Sequence, residues 1–122
     1  MSMDKFHLRA YAHIGDAVYE VFIREKVINI TSNSKKMHEL TTKYVKAEFQ
    51  LETLEKLMDY LTDEEKDIVR RARNMPSTTF RRANQSLHRQ ATAFEALLGY
   101  NYMHNKQRYS ELLNITSGYI EL

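Results

Sequence analysis

A chain of 122 residues is long enough for one domain with a buried core and too short for two comfortable ones. One Pro, three Gly and no Trp, with Leu, Ala, Glu, Lys, Arg and Gln plentiful, speak against a turn-rich β architecture and for helices, and the lack of Cys excludes disulfides and thiolate metal sites. The net charge of +2 is too small to imply a polyanionic partner by itself. No apolar run approaches the roughly 20 residues that span a bilayer, and the first residues lack signal-peptide character, so a soluble cytoplasmic protein without a membrane role is expected.

From about Asp4 to Ile28 the pattern predicts a helix, with Leu8, Tyr11, Gly15, Val18 and Phe22 as one stripe and Ile14 and Val21 beside it. Gly15 within it costs about 1 kcal/mol against Ala. Asp16 follows directly, and Asp in mid-helix competes with the backbone for hydrogen bonds. Two broken local rules in a row tend to mark a site. Asn29 to Ser34 is a polar connection, with Ser32 or Ser34 as cap for a helix over about Lys35–Val45 whose apolar side is Met37, Leu40, Tyr44 and Val45. The segment from about Lys46 to Tyr60 carries Phe49, Leu51, Leu54, Leu57 and Met58, and the pattern leaves open whether the two segments are one bent helix or two. Thr62-Asp63-Glu64-Glu65 forms a capping box that opens a short helix to about Asn74, with Ile68, Val69 and Ala72 inward. Met75 to Ser86 is the one long polar connection: Met75-Pro76 turns the chain away from helix, and Arg81-Arg82 suit a basic loop. Ser86 is placed to cap a helix over about Leu87–His104, and a last helix spans about Lys106–Tyr119. The fold expected is all-α, one domain over residues 1–122.

The helix after Ser86 is rich in small and apolar residues, and Ala91, Phe94, Leu98 and Tyr102 recur at helical steps. Glu95 is the one acid among them. A carboxylate there is costly to bury unless a cation or donors answer it. Asp16 and Glu95 are candidate paired carboxylates for a hard divalent cation such as magnesium, which often takes only one or two carboxylates and keeps several waters. Solvent-facing or salt-bridged acids would give the same pattern. Between Arg70 and Arg89 lie Arg70, Arg71, Arg73, Arg81, Arg82 and Arg89, with His88 and no acid. This suits a phosphate-bearing ligand or a solvated basic face. The histidines have no metal-site spacing, and glycine-rich phosphate loops and Gly-x-Ser-x-Gly turns are missing.

Tyr11-Ala12-His13-Ile14-Gly15-Asp16-Ala17-Val18 resembles the ribonuclease III signature, whose Leu-Gly-Asp-Ala core carries a catalytic aspartate. Ala93-Phe94-Glu95-Ala96-Leu97-Leu98-Gly99-Tyr100 resembles that family's second acidic motif. Arg70-Arg71-Ala72-Arg73-Asn74 stands where the family has a short Arg/Gly/Asn segment. Three motifs in this order, in a chain of this length, resemble the Mini-III branch, a catalytic domain without a separate double-stranded RNA-binding domain. The resemblance implies a homodimeric, all-α, ribonuclease III-type endonuclease domain. It would cut double-stranded RNA with magnesium, or manganese in its place, and leave 5′-phosphates. Precursor 23S ribosomal RNA is the implied substrate, and a large-subunit ribosomal protein a further partner. Asp16 and Glu95 would be the catalytic, metal-holding residues. Arg73 and Asn74 would lie near them, and Arg70, Arg71, Arg81, Arg82 and Arg89 would meet the RNA backbone. Full-length relatives have acids where this chain has Ala12 and Thr92, which implies a cation held by two carboxylates and largely through water; Ala72 replaces a usual Gly. The competing reading is a non-catalytic helical RNA-binding dimer of the same fold, which would be expected to lose Asp16 or Glu95.

Overall fold

The computed structural model describes residues 5–76 and 84–122. Among these, local chemistry sets each helix boundary. Helix α1 (Lys5–Val27) is followed by a short connection to α2 (Ser34–Val45), which is capped by Asn33: its side-chain oxygen accepts from the Lys36 N–H at 2.9 Å. The cap therefore falls on Asn33, between the two serines expected to serve, because its amide oxygen reaches the third helical N–H. Lys46 takes an extended conformation (φ −67°, ψ 155°), which ends α2 and starts α3 (Ala47–Leu57), so the two segments are separate helices. A 3-10 turn over Met58–Tyr60 leads to α4 (Asp63–Arg73). Its capping box is formed as expected, with Glu65 N–H donating to Thr62 Oγ1 at 3.1 Å and Thr62 N–H to Glu65 Oε1 at 2.9 Å.

Helix α5 (Gln85–His104) begins earlier than its expected cap. Ser86 lies inside the first turn, and Asn84 holds the cap position without a side-chain capping bond. Residues 77–83 of the expected polar loop, Arg81 and Arg82 among them, lie outside the described residues. Helix α6 (Lys106–Ser117) is capped by Asn105, which accepts from Arg108 N–H at 3.1 Å, and ends two residues short of Tyr119.

Helix α5 is the axis, packed by α1, α3, α4 and α6. Ala91, Ala93, Phe94, Ala96, Leu97, Leu98, Gly99 and Asn101 are buried around most of its circumference, as an interior helix requires. The buried stripe of α1 runs through Leu8, Ala12, Gly15, Tyr19, Ile23 and Val27, with Tyr11 beside it. Steps of four and three follow the 3.6-residue period, and they leave Val21, expected at the edge of the stripe, 56% exposed. Tyr19 donates to the Tyr44 carbonyl at 2.7 Å and Tyr44 to the Glu121 carbonyl at 3.1 Å, tying α1, α2 and the C-terminal segment together.

Helices α1 and α5 meet backbone to backbone. A Cβ on Gly15 would stand 1.8 Å from the Glu95 carbonyl oxygen, and one on Gly99 would stand 1.8 Å from that of Tyr11. The two glycines serve by lacking a side chain, since neither has a positive φ.

Beneath α4, Glu65 is only 4% exposed. Arg108 of α6 grips its carboxylate with two hydrogen bonds, Nε to Oε2 at 2.9 Å and Nη2 to Oε1 at 2.8 Å, and Asn101 Nδ2 donates at 3.1 Å. Burial pushes the carboxyl up, but the Arg108, Thr62 and Asn101 hydrogen bonds and the Arg108 charge outweigh it and hold the group below its ordinary value. A depressed carboxylate stabilises the fold above its unfolded pKa, and that stabilisation is lost as pH falls through the folded value. Arg108→Met is expected to cost about 1–3 kcal/mol at neutral pH, because Thr62 and Asn101 still hold the carboxylate. Thermal unfolding should show the gap to the wild type shrinking as the pH is lowered below the ordinary carboxylate range and through the depressed folded value of Glu65; a gap independent of pH would show that Arg108 acts through packing alone.

Candidate metal centre and nucleic-acid interface

Asp16 sits one residue beyond the contact glycine of α1, on the exposed side. Glu95 sits on α5, and its own carbonyl is the atom that Gly15 lies against. The backbone crossing therefore places the two acids side by side, close enough for Asp16 to act on the Glu95 carboxyl. Glu95 is half-buried and Asp16 exposed. Burial, then the hydrogen bond and charge of Asp16, push Glu95 up to about 8. The Gln50 side chain opposes this: its Nε2 donates to Glu95 Oε2 at 3.4 Å and to the Val45 carbonyl at 2.9 Å.

Without a cation, burial and the neighbouring Asp16 favour the protonated form of Glu95. A divalent ion would replace that proton and remove the repulsion that makes it necessary. No cluster of three or more His, Cys, Asp or Glu side chains suited to a metal is found among the described residues. Two carboxylates with buried polar atoms nearby fit a hard, mostly hydrated ion and not a fully protein-caged one. Gln50 Oε1 is such an atom, buried and without a hydrogen-bond partner. Because Glu95 must lose a proton to bind, cation affinity should rise as pH increases from about 6 to 8, by up to about tenfold per unit, and level off above. Titration of the protein with Mn2+ at several pH values measures this. An affinity flat across that range would mean that Glu95 is ionised before the cation arrives.

Among the described residues, the arginines between Arg70 and Arg89 divide into two groups. Arg70 and Arg71 both pair with Asp67, at 2.5 Å and 3.1 Å, and both are exposed; Asp67 lies just before the acid-free stretch. Exposed pairs of this kind contribute little and give way readily. Arg73 and Arg89 are half-buried, and each has a buried Nε without a hydrogen-bond partner. Asn74 caps α4, its N–H reaching the Arg70 and Arg71 carbonyls at 3.3 Å and 3.2 Å. A small cleft lined by Arg9, Ala72, Met75, Pro76, His88, Arg89 and Thr92 joins the end of α4 to the start of α5. Thr92 is one turn from Glu95, so this basic cleft borders the acidic pair.

Two residues near the pair went unnoticed in the sequence. Arg9 donates from Nη2 to the Pro76 carbonyl at 3.0 Å, holding the end of α4 against α1. Its signal was its position two helical turns before Asp16. Gln50 gave a weaker one, an amide between Phe49 and Leu51.

The ribonuclease III domain model matches residues 9–106 of the chain. The chain is 44% identical over 113 residues to the Mini-ribonuclease 3 of Thermoanaerobacter sp. (strain X514), covering 90% of this chain and 80% of that protein. It is 36% identical over 110 residues to the Mini-ribonuclease 3 of Enterococcus faecalis (strain ATCC 700802 / V583), covering 86% and 83%. A Fusobacterium nucleatum protein of known crystal structure is similar with a TM-score of 0.80 at 28% identity, over 91% of each chain.

Proposed function

As a member of the ribonuclease III family, to whose Mini-ribonuclease 3 branch it belongs, the chain is an endoribonuclease, and we propose that Asp16 and Glu95 hold a magnesium ion at which it cuts double-stranded RNA. The observation that supports this reading most is the pairing of these two carboxyls across the Gly15–Glu95 backbone contact, on packed helices that keep them in place. When bound, such an ion supplies an activated water and stabilises the charge that develops on a phosphodiester. The chain's own part is to fix and charge the site. Asp16, facing solvent, is the more accessible carboxylate. Glu95, reprotonated whenever the site empties, couples cation binding to proton release.

The basic cleft of Arg9, His88 and Arg89, with Arg73 near the end of α4, is the proposed track for the RNA backbone, continued by Arg70, Arg71 and Asn74; Arg81 and Arg82, outside the described residues, are proposed as RNA contacts from the sequence alone. Duplex RNA is read mostly by shape, phosphates and 2′-hydroxyls, which suits arginines held near a metal site. The proposed substrate is precursor 23S ribosomal RNA, with a large-subunit ribosomal protein as a further partner. A homodimer is proposed on the face beside Asp16. There Ala17, Val21, Arg24 and Ile28 follow one another at helical spacing, and Val21 and Ile28 are 56% and 64% exposed. No helix among the described residues is long and apolar enough to cross a membrane, in keeping with a proposed cytoplasmic site of action.

The test is cleavage of an end-labelled RNA duplex, with the single strand as control, in magnesium and in chelator. Cutting of the duplex alone, only with magnesium, supports the reading; duplex binding without cutting would overturn it. In the same assay Arg73→Ala and Arg89→Ala should each reduce the salt dependence of binding by about one phosphate contact and leave the cut positions unchanged. An unchanged salt slope would remove that arginine from the RNA track.

A further inference from the structure

We infer that Gln50 is a positioning residue of the metal centre, a neutral third arm that holds the Glu95 carboxylate with its amide nitrogen and offers its buried carbonyl oxygen to a water on the cation. The inference rests on the assignment of Asp16 and Glu95 as the metal-holding pair.

Gln50 is 3% exposed, on a helix that otherwise buries Thr53, Leu54 and Leu57. A buried amide without full partners is expensive, and an apolar residue of similar size would remove the expense. The orientation of the amide is fixed by its neighbours. Val45 O can only accept, so the nitrogen must face it, at 2.9 Å, and the same nitrogen lies 3.4 Å from Glu95 Oε2. The oxygen then points to the remaining side, where no donor meets it. Standard bond lengths put the two amide atoms roughly 2.2 Å apart, so this oxygen lies within about 6 Å of the Glu95 carboxylate. That is the reach of a water in the inner shell of a magnesium-sized ion held by Glu95. A metal-bound water is a strong donor, and it is the partner this acceptor lacks.

The backbone is arranged to bring Gln50 there. The break at Lys46 ends α2, so that the Val45 carbonyl is free to accept from the amide and α3 starts at an angle that carries Gln50 to α5. Outer partners of metal ligands of this kind typically alter metal affinity by about 10–100-fold.

The experiment compares wild type with Gln50→Leu and Gln50→Met, reading Mn2+ affinity, the magnesium concentration for half-maximal duplex cleavage, RNA affinity and Tm without cation. Expected is a cation requirement raised about tenfold or more in both variants, with RNA affinity unchanged and the cation-free Tm equal or higher, since an orphaned polar atom has gone. A purely structural Gln50 would lower Tm and leave the cation requirement alone, and that result overturns the inference. A measurement on the wild type stands beside it: magnesium should shift the Gln50 side-chain amide NMR signals, and Glu95→Gln should abolish the shift. Unmoved signals overturn the inference whatever the variants do. Asp16→Asn and Glu95→Gln serve as references. If they too bind cation like the wild type, it is the carboxylate pair that fails; if they lose it while the Gln50 variants keep it, only the role of Gln50 fails.

Discussion

Asp16→Asn is expected to lower duplex cleavage by more than about 10²-fold, because even the outer partners of metal ligands typically contribute 10–100-fold. The same substitution should leave the cation-free protein as stable as the wild type or more so. Asp16 is what burdens Glu95 after burial itself: its hydrogen bond and its charge both push the Glu95 carboxyl up. With Asn in its place the like charge is gone, the side-chain amide can donate to Glu95, and the Glu95 value falls back toward the ordinary carboxylate range. The sign follows from linkage. A raised folded-state pKa means that the native protein holds a proton which the unfolded chain has already lost, so native stability declines as pH rises from the unfolded value to about 8. Asp16→Asn removes part of that decline. The Tm difference between variant and wild type should therefore grow in the variant's favour toward pH 8 without cation, and reverse when magnesium is added. Cleavage within a few-fold of wild type would remove Asp16 from the chemistry. Loss of cleavage together with loss of cation-free stability would make it a structural residue.

That opposition between stability and function was partly visible in the sequence. Gly15 and Asp16, side by side in a helix, each act against helix formation, and the structure gives each a reason: the glycine lets α5 in, and the acid meets Glu95 there. The helix order and the Thr62–Glu65 capping box could also be read, because periodicity and caps are local. Long-range partners could not. Nothing around Glu65 indicates that Arg108, 43 residues on, closes over it. The Asn33 cap was hidden by two serines equally able to do the work. The edge of the α1 stripe was misplaced at Val21 because the buried positions advance by four more often than by three, as a period of 3.6 residues requires along a helix of 23 residues. Gln50 was hidden for a different reason: its meaning depends on where α3 lies against α5, which the extended Lys46 decides.

The glycine crossing yields the sharpest test, because two physical effects predict opposite signs for one substitution. Gly15→Ala should improve intrinsic helix propensity by about 1 kcal/mol. It also places a Cβ at 1.8 Å from Glu95 O, 2.6 Å from Glu95 C and 3.1 Å from Glu95 Cα. These are backbone atoms, which cannot swing aside as a side chain can. Relief requires α1 and α5 to part by about an ångström or more to reach ordinary contact distance. Helix α5 cannot retreat, since its other faces are packed by α3, α4 and α6. Overpacking of cores costs about 1–3 kcal/mol when side chains can adjust, and a backbone clash should exceed that range, so the net expectation is destabilisation by more than about 3 kcal/mol. Gly99→Ala meets Tyr11 O at the same 1.8 Å and should behave alike. Gly118→Ala is the control, because its Cβ would have only Ile115 O nearby, at 3.2 Å. Denaturant unfolding of the three variants decides between the effects. If Gly15→Ala matches or exceeds wild-type stability, the helices do not cross at the distance described here, and the side-by-side placement of Asp16 and Glu95 loses its cause. If it is destabilised but still folded, its cation affinity should fall further than its stability, because parting the helices separates the two carboxyls directly.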